Sequence, residues 1–165
     1  MKKTALITGA TSGIGEACAR KFAEGGYNVI ITGRRSERLE ALKAELEETG
    51  AKVKTLTFDV RDADAAGKAI GSLGEEWSTI DVLVNNAGLA LGLDKEHEGS
   101  MEDWNTMIDT NIKGLLTMTR LIVPGMVGKI ADTSSTSEAL QEMQPMPEAM
   151  YIALPRPQSR PSRTA

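Results

Sequence analysis

The chain has 165 residues, 41% of them hydrophobic and 25% charged, with a formal net charge of −4. That length and composition suit one domain with a buried core and exclude disordered, collagen-like and membrane-spanning classes. A mildly acidic chain also offers no basic face to nucleic acid.

The single cysteine, Cys18, excludes a disulfide framework and reads as a small core residue. No apolar run reaches membrane length, and Met1-Lys2-Lys3 leads straight into a strand rather than a signal peptide, so a cytoplasmic location is expected.

Thr4-Ala5-Leu6-Ile7 is a short apolar run that predicts a buried strand. The turn Thr8-Gly9-Ala10-Thr11-Ser12-Gly13-Ile14-Gly15 follows it. Ile14, Cys18, Phe22 and Ala23 then recur at helical spacing, and Gly25-Gly26 predicts the C-cap. Glycines at a strand-to-helix turn let the backbone approach a ligand where a Cβ would block it. The N–H groups at the helix start favour an anion, typically a pyrophosphate. Spaced glycines alone also occur in ordinary loops. Here the strand before, the helix after and the position near the N-terminus agree on dinucleotide binding. Gly9, Thr11, Ser12, Gly13, Ile14 and Gly15 are the candidate residues.

A second strand is expected at Asn28 to Thr32, closing at Gly33-Arg34-Arg35 and completing a right-handed parallel βαβ unit. The residue after that strand meets the adenosine ribose, where a carboxylate would bind a 2′-hydroxyl and an arginine a 2′-phosphate. Arg34 and Arg35 with no acid favour NADP over NAD; alternatively the two arginines simply begin a solvated helix. Ser36 is a plausible N-cap for a helix from Glu37 to Thr49, with Leu39, Leu42 and Leu46 on one face and Gly50 ending it.

The alternating stretch Lys52 to Phe58 predicts a third strand, with Asp59-Val60 at its carboxyl end. Asp59 either hydrogen-bonds an adenine amino group or caps the next helix, which is expected from Ala63 to Trp77 and weakened by Gly67, Gly71 and Gly74. Ile80 to Val84 predicts a fourth strand, running into Asn85-Asn86-Ala87-Gly88. Small residues and side-chain amides there suit close approach to a ribose or nicotinamide, which makes Asn86, Ala87 and Gly88 candidates. All these groups fall at the carboxyl ends of strands, where open α/β sheets bind ligands. The fold class is therefore α/β, a Rossmann-like doubly wound parallel sheet.

The polar loop Leu89 to Gly99 holds His97, the only histidine, with no catalytic role assigned. Ser100-Met101-Glu102-Asp103 is close to a capping box and opens a helix expected to run through Met126. Asn111 lies among Ile108, Ile112 and Leu115, toward the buried side, where an amide needs partners.

Together, Thr8-Gly9-x-x-x-Gly13-Ile14-Gly15, Asp59-Val60, Asn85-Asn86-Ala87-Gly88 and Asn111-Ile112-Lys113-Gly114 resemble the short-chain dehydrogenase/reductase family. Asn85 to Val127 is most similar to its bacterial branch of NADP-dependent 3-hydroxy-acid dehydrogenases, and the resemblance covers residues 1 to 127. It implies a nicotinamide cofactor and hydride exchange with a small hydroxy or carbonyl substrate. Subunit association through the Glu102 to Met126 helix is implied too. The implied catalytic set is Asn, Ser, Tyr and Lys, with Tyr-x-x-x-Lys as acid/base and its pKa-lowering partner.

Asn111 matches that set, but the chain then departs from it. Tyr151 is the only tyrosine in range, and Pro155 stands where lysine is needed. Ser134 and Ser135 are misplaced, and Pro145, Pro147, Pro155, Pro157 and Pro161 forbid a long helix. An Arg/Ser/Pro-rich tail closes the chain.

The genetic code suggests a cause. Codons read from the third base of each codon give valine at Met150-Tyr151 and alanine at Met143-Gln144 and Met146-Pro147, without choice. Permitted bases elsewhere turn 145–161 into a string containing Tyr-Cys-Ala-Thr-Lys, with a serine thirteen codons before its tyrosine. The expectation is an incomplete Rossmann domain over 1–127, truncated after its fourth strand and following helix. Residues 128–165 would be an irregular frameshift product.

Overall fold

A computed structural model describes residues 2–92 and 95–134. Tyr151 and Pro155 lie outside the described residues, as does most of the expected tail.

Strand β1 (Thr4–Ile7) is buried at every position. Helix α1 (Gly13–Glu24) leads to β2 (Asn28–Gly33), and α2 (Ser36–Glu47) to β3 (Val53–Thr57). Helix α3 (Ala63–Gly71) and a 3-10 turn, Glu75–Trp77, precede β4 (Val82–Val84). The strands form one parallel sheet in the order β3-β2-β1-β4, with Ala5 between Val29 and Val82. Chain order reverses across β1, so a crevice opens at the carboxyl ends of the strands.

Alternation along the strands feeds two apolar layers, which is why β1 and β2 read as continuous hydrophobic runs. Ala5, Ile7, Val29 and Ile31 pack with Ala19, Ala23, Leu39, Leu42 and Leu46 of α1 and α2, and Cys18 lies partly buried against the same cluster. Leu6, Ile30, Leu56 and Leu83 face the other way, onto Ala66, Trp77, Met118 and Ile122. Arg20 ties the first layer at its surface, bonding Glu16 on α1 and Glu45 on α2.

Some boundaries differ from expectation. Arg35, not Ser36, occupies the N-cap of α2. Helix α3 stops at Gly71, because three glycines within eight positions leave its second half too costly to order. Asp62 caps α3, accepting the Ala65 N–H at 2.9 Å, so the capping alternative offered for Asp59 belongs to Asp62.

The single helix expected through Met126 is three segments: α4 (Met101–Ile108), a π-helical stretch Asp109–Gly114, and α5 (Leu115–Ser134). Ser100 accepts the Asp103 N–H at 3.3 Å and so starts α4 as a capping residue should. Helix α5 passes through Pro124 and continues past residue 128 to Ser134. Lysine, isoleucine and alanine at 129–131 tolerate a helix.

Candidate functional site

The turn between β1 and α1 is fixed by contacts that cross to the end of β4. Gly9 and Gly13 have φ of 66° and 60°, the left-handed region that glycine enters without penalty. A Cβ on Gly9 would meet Ala87 Cα at 2.8 Å. A Cβ on Gly15 would meet Asn86 Nδ2 at 2.3 Å and Gly9 O at 2.5 Å. Two of the glycines therefore make room for the β4 loop, where the sequence reading had assigned them to ligand approach alone.

Asn86 uses that room. Its Nδ2 donates to Thr8 O at 3.0 Å and to Gly9 O at 3.1 Å. The N–H groups of Asn86 and Ala87 both donate to Thr8 Oγ1 at 3.0 Å, and that hydroxyl donates to Val84 O at 3.3 Å. Thr8 was not among the sequence candidates. Its signal was a hydroxyl closing an apolar strand just before the glycine turn. Ser12, the N-cap of α1, makes no side-chain cap bond, which leaves the first-turn N–H groups to another acceptor.

Around this turn lies a cleft of about 420 Å³. Gly9, Thr11, Ser12 and Ile14 form one wall, and Arg34 and Arg35 the next. Asp59 and Val60 come from the end of β3, and Asn86, Ala87 and Gly88 from the end of β4. All the cofactor candidates are brought together here except Gly13 and Gly15, which shape the turn rather than line the cleft.

The two arginines are held differently. Arg35 folds back over the glycine turn, its Nη2 donating to Thr11 Oγ1 at 2.7 Å and Ser12 Oγ at 3.0 Å. Arg34 is exposed, with Nη1 3.7 Å from Asp59 Oδ2. Asp59 is clasped by Arg61, another residue the sequence reading passed over. The backbone N–H and Nε of Arg61 donate to Oδ1 at 3.0 and 3.1 Å, and Nη2 donates to Oδ2 at 2.7 Å. Those bonds hold the Asp59 carboxyl below the usual carboxylate range, against the opposing effect of its partial burial.

Asn111 sits in the π-helical stretch. Its Oδ1 accepts the Leu89 N–H at 2.9 Å, and its Nδ2 donates to Leu89 O at 2.8 Å. Thr110 and Leu89 line the cleft while Asn111 does not, so its amide holds the rim from behind. Gly114 permits this close fit, since a Cβ there would lie 2.7 Å from Val60 Cγ2. Tyr151, the other catalytic candidate, lies outside the described residues.

A four-stranded parallel sheet whose order reverses at β1, with a glycine turn and a helix N-terminus after that strand, defines a Rossmann-like α/β protein. The chain belongs to the short-chain dehydrogenase family, whose profile matches residues 3–150. That match runs past residue 127, to which the resemblance in the sequence extends.

The chain is 56% identical over 136 residues to the NADP-dependent 3-hydroxy acid dehydrogenase YdfG of Salmonella typhi, covering 80% of this chain and 54% of that protein. It is 49% identical over 140 residues to a serine 3-dehydrogenase of Agrobacterium fabrum, covering 83% of this chain and 55% of that one. Among solved structures, the closed form of a serine dehydrogenase complexed with NADP+ superposes with a TM-score of 0.72 at 52% identity. That match covers 76% of this chain and 50% of the other. The chain thus spans about half the length of the curated relatives it matches. Among the described residues, no helix is long and apolar enough to cross a membrane.

Proposed function

We propose that this chain binds NADP(H) in the cleft at the carboxyl ends of β1 to β4. The carrying observation is the juxtaposition of the glycine turn with Arg34 and Arg35 across one cleft. The first-turn N–H groups of α1 suit a pyrophosphate, and the guanidinium groups suit a 2′-phosphate. Asp59, ionised and accepting, suits an adenine amino group. NADP-dependence in the named relatives supports the same cofactor. When bound, that cofactor supplies hydride exchange with a hydroxy or carbonyl compound, the type of reaction to which this chain is assigned by family. Asn111 contributes by holding Gly88 and Leu89 at the cleft rim.

Turnover by this chain is a separate matter. Pro155 stands four residues after Tyr151, where an acid/base tyrosine needs a lysine to lower its pKa. The chain is accordingly read as inactive, its residues 128–165 arising from a shifted reading frame. The second reading is a non-catalytic NADP(H)-binding module, favoured by a cleft that is formed within residues 9–110.

Titration of the purified chain with NADPH, followed by cofactor fluorescence beside a turnover assay with 3-hydroxy acids, tests both parts. Saturable binding, weakened about tenfold by Arg34→Asp as expected for a charge-assisted contact, and no turnover is the expected result. Absence of binding overturns the cofactor assignment, and turnover abolished by Tyr151→Phe overturns the inactivity. Coding DNA that lacks the Tyr-Cys-Ala-Thr-Lys string in the other frame overturns the frameshift.

A further inference from the structure

Asp59 stands between two arginines and is shared very unequally. A carboxylate offers about four lone-pair positions to donors. Arg61 fills Oδ1 with its backbone N–H and Nε, at 3.0 and 3.1 Å. The same Nε–H is shared with Oδ2 at 3.1 Å, and Nη2 donates there at 2.7 Å, so three N–H groups engage both oxygens. Arg34, at 3.7 Å, is left with a charge contact beyond hydrogen-bond length. Asp62, Asp64 and Asp109 line a second hollow with Asp59 and Arg61, which surrounds the Arg61 guanidinium with further carboxylates.

We propose that Arg61 is a positioning residue for cofactor discrimination: by engaging both oxygens of the Asp59 carboxylate it leaves the Arg34 guanidinium available to a 2′-phosphate. Without the Arg61 side chain, Oδ2 loses both its donors and Oδ1 keeps only the backbone N–H. Arg34, on an exposed stem and carrying five N–H donors, is the other cation within 4 Å of Asp59 and closes onto it. An Arg34 locked to Asp59 has already spent its charge and its planar fork, and a 2′-phosphate must compete for it. The effect falls on the 2′-phosphate, which Arg61 itself lines no wall of the main cleft to touch. It spares the parts of the cofactor common to NADPH and NADH.

The inference rests on the reading that the cleft takes NADP(H). The experiment is a pair of fluorescence titrations, NADPH and NADH, on the full chain carrying Arg61→Gln, Asp59→Asn, or both. Wild type is expected to prefer NADPH. Arg61→Gln is expected to cut that preference about threefold, the scale of a partly exposed ion pair. In the Asp59→Asn background Arg61→Gln is expected to change it no further, because Arg34 then has no carboxylate to turn to. A general loss of positive potential would instead lower the preference in both backgrounds, and that result overturns the proposal. An unchanged preference in Arg61→Gln overturns it too. Should circular dichroism show Arg61→Gln unfolded, Arg61→Lys, which keeps the charge and loses the fork, carries the same comparison with a smaller drop expected. A wild-type chain with no preference for NADPH refutes the underlying cofactor reading, an outcome separable from the others.

Discussion

Replacing Gly15 by alanine sets two effects of opposite sign against each other. Alanine is favoured over glycine in a helix by about 1 kcal/mol at most, and Gly15 lies in the first turn of α1. Its Cβ would fall 2.3 Å from Asn86 Nδ2 and 2.5 Å from Gly9 O. The amide must withdraw, losing bonds to Thr8 O and Gly9 O that are worth about 1 kcal/mol each. Gly9 O is backbone and yields little, so overpacking adds about 1 kcal/mol or more. The net expectation is a destabilisation of about 2 kcal/mol.

Gly67, inside α3, is the matched control, because a Cβ there meets nothing within 4 Å. Gly67→Ala should therefore gain about 0.5–1 kcal/mol. Urea unfolding followed at 222 nm reads both changes. With a slope of about 2 kcal/mol per M, the midpoint should fall by about 1 M for Gly15→Ala and rise by a fraction of that for Gly67→Ala. A Gly15→Ala midpoint at or above wild type would refute the account of Gly15, and a lowered Gly67→Ala midpoint would refute the control.

Asn111→Ala removes both partners of the Leu89 backbone at a local cost of about 1–2 kcal/mol. The Leu89 amide should then exchange with solvent about tenfold faster, and unaltered exchange would disprove its role as rim support. The Asp59 carboxyl is lowered from its ordinary 3.8 by the Arg61 bonds. Its stabilising contribution is thus present above that ordinary value and lost as pH falls through the lower, folded-state value. The part of acid unfolding that Asp59→Asn removes should therefore lie below about pH 4; a difference confined to pH 5–7 would contradict the pairing.

Much of the fold was legible because local rules agreed with the tertiary result. Thr4–Ile7 is a strand with the expected bounds. Leu39, Leu42 and Leu46 share the buried face of α2 because the 3.6-residue period and the core coincide. Gly26 and Gly50 end their helices at φ of 83° and 79°. The π-helical stretch around Asn111 had no such signal. It depends on Gly114 meeting Val60 and on Asn111 meeting Leu89, contacts between segments far apart in the chain.

The cleft residues were legible as a set of strand ends. Their individual tasks were not. Asn86 and Gly15 serve each other, and Arg61 was hidden as one more charged residue before a helix.

The sheet order has a consequence for how the molecule is made. β1 precedes the other three described strands in the chain yet lies inside the sheet, and its second neighbour arrives late: the Thr4 N–H bonds Asp81, 77 residues along the chain. At about 5–20 residues per second of translation, roughly 4–15 s separate the two. In that interval the β1-α1-β2-α2-β3 layer has nearly all its own parts, while one edge of a strand buried at every position waits uncovered. The glycine turn waits as well, because Asn86 and Ala87, which tie it to Thr8, emerge only after β4. A nascent chain of this order acquires its first apolar layer early and its second layer and glycine turn late, so a partly made chain exposes the strand before the cleft is complete.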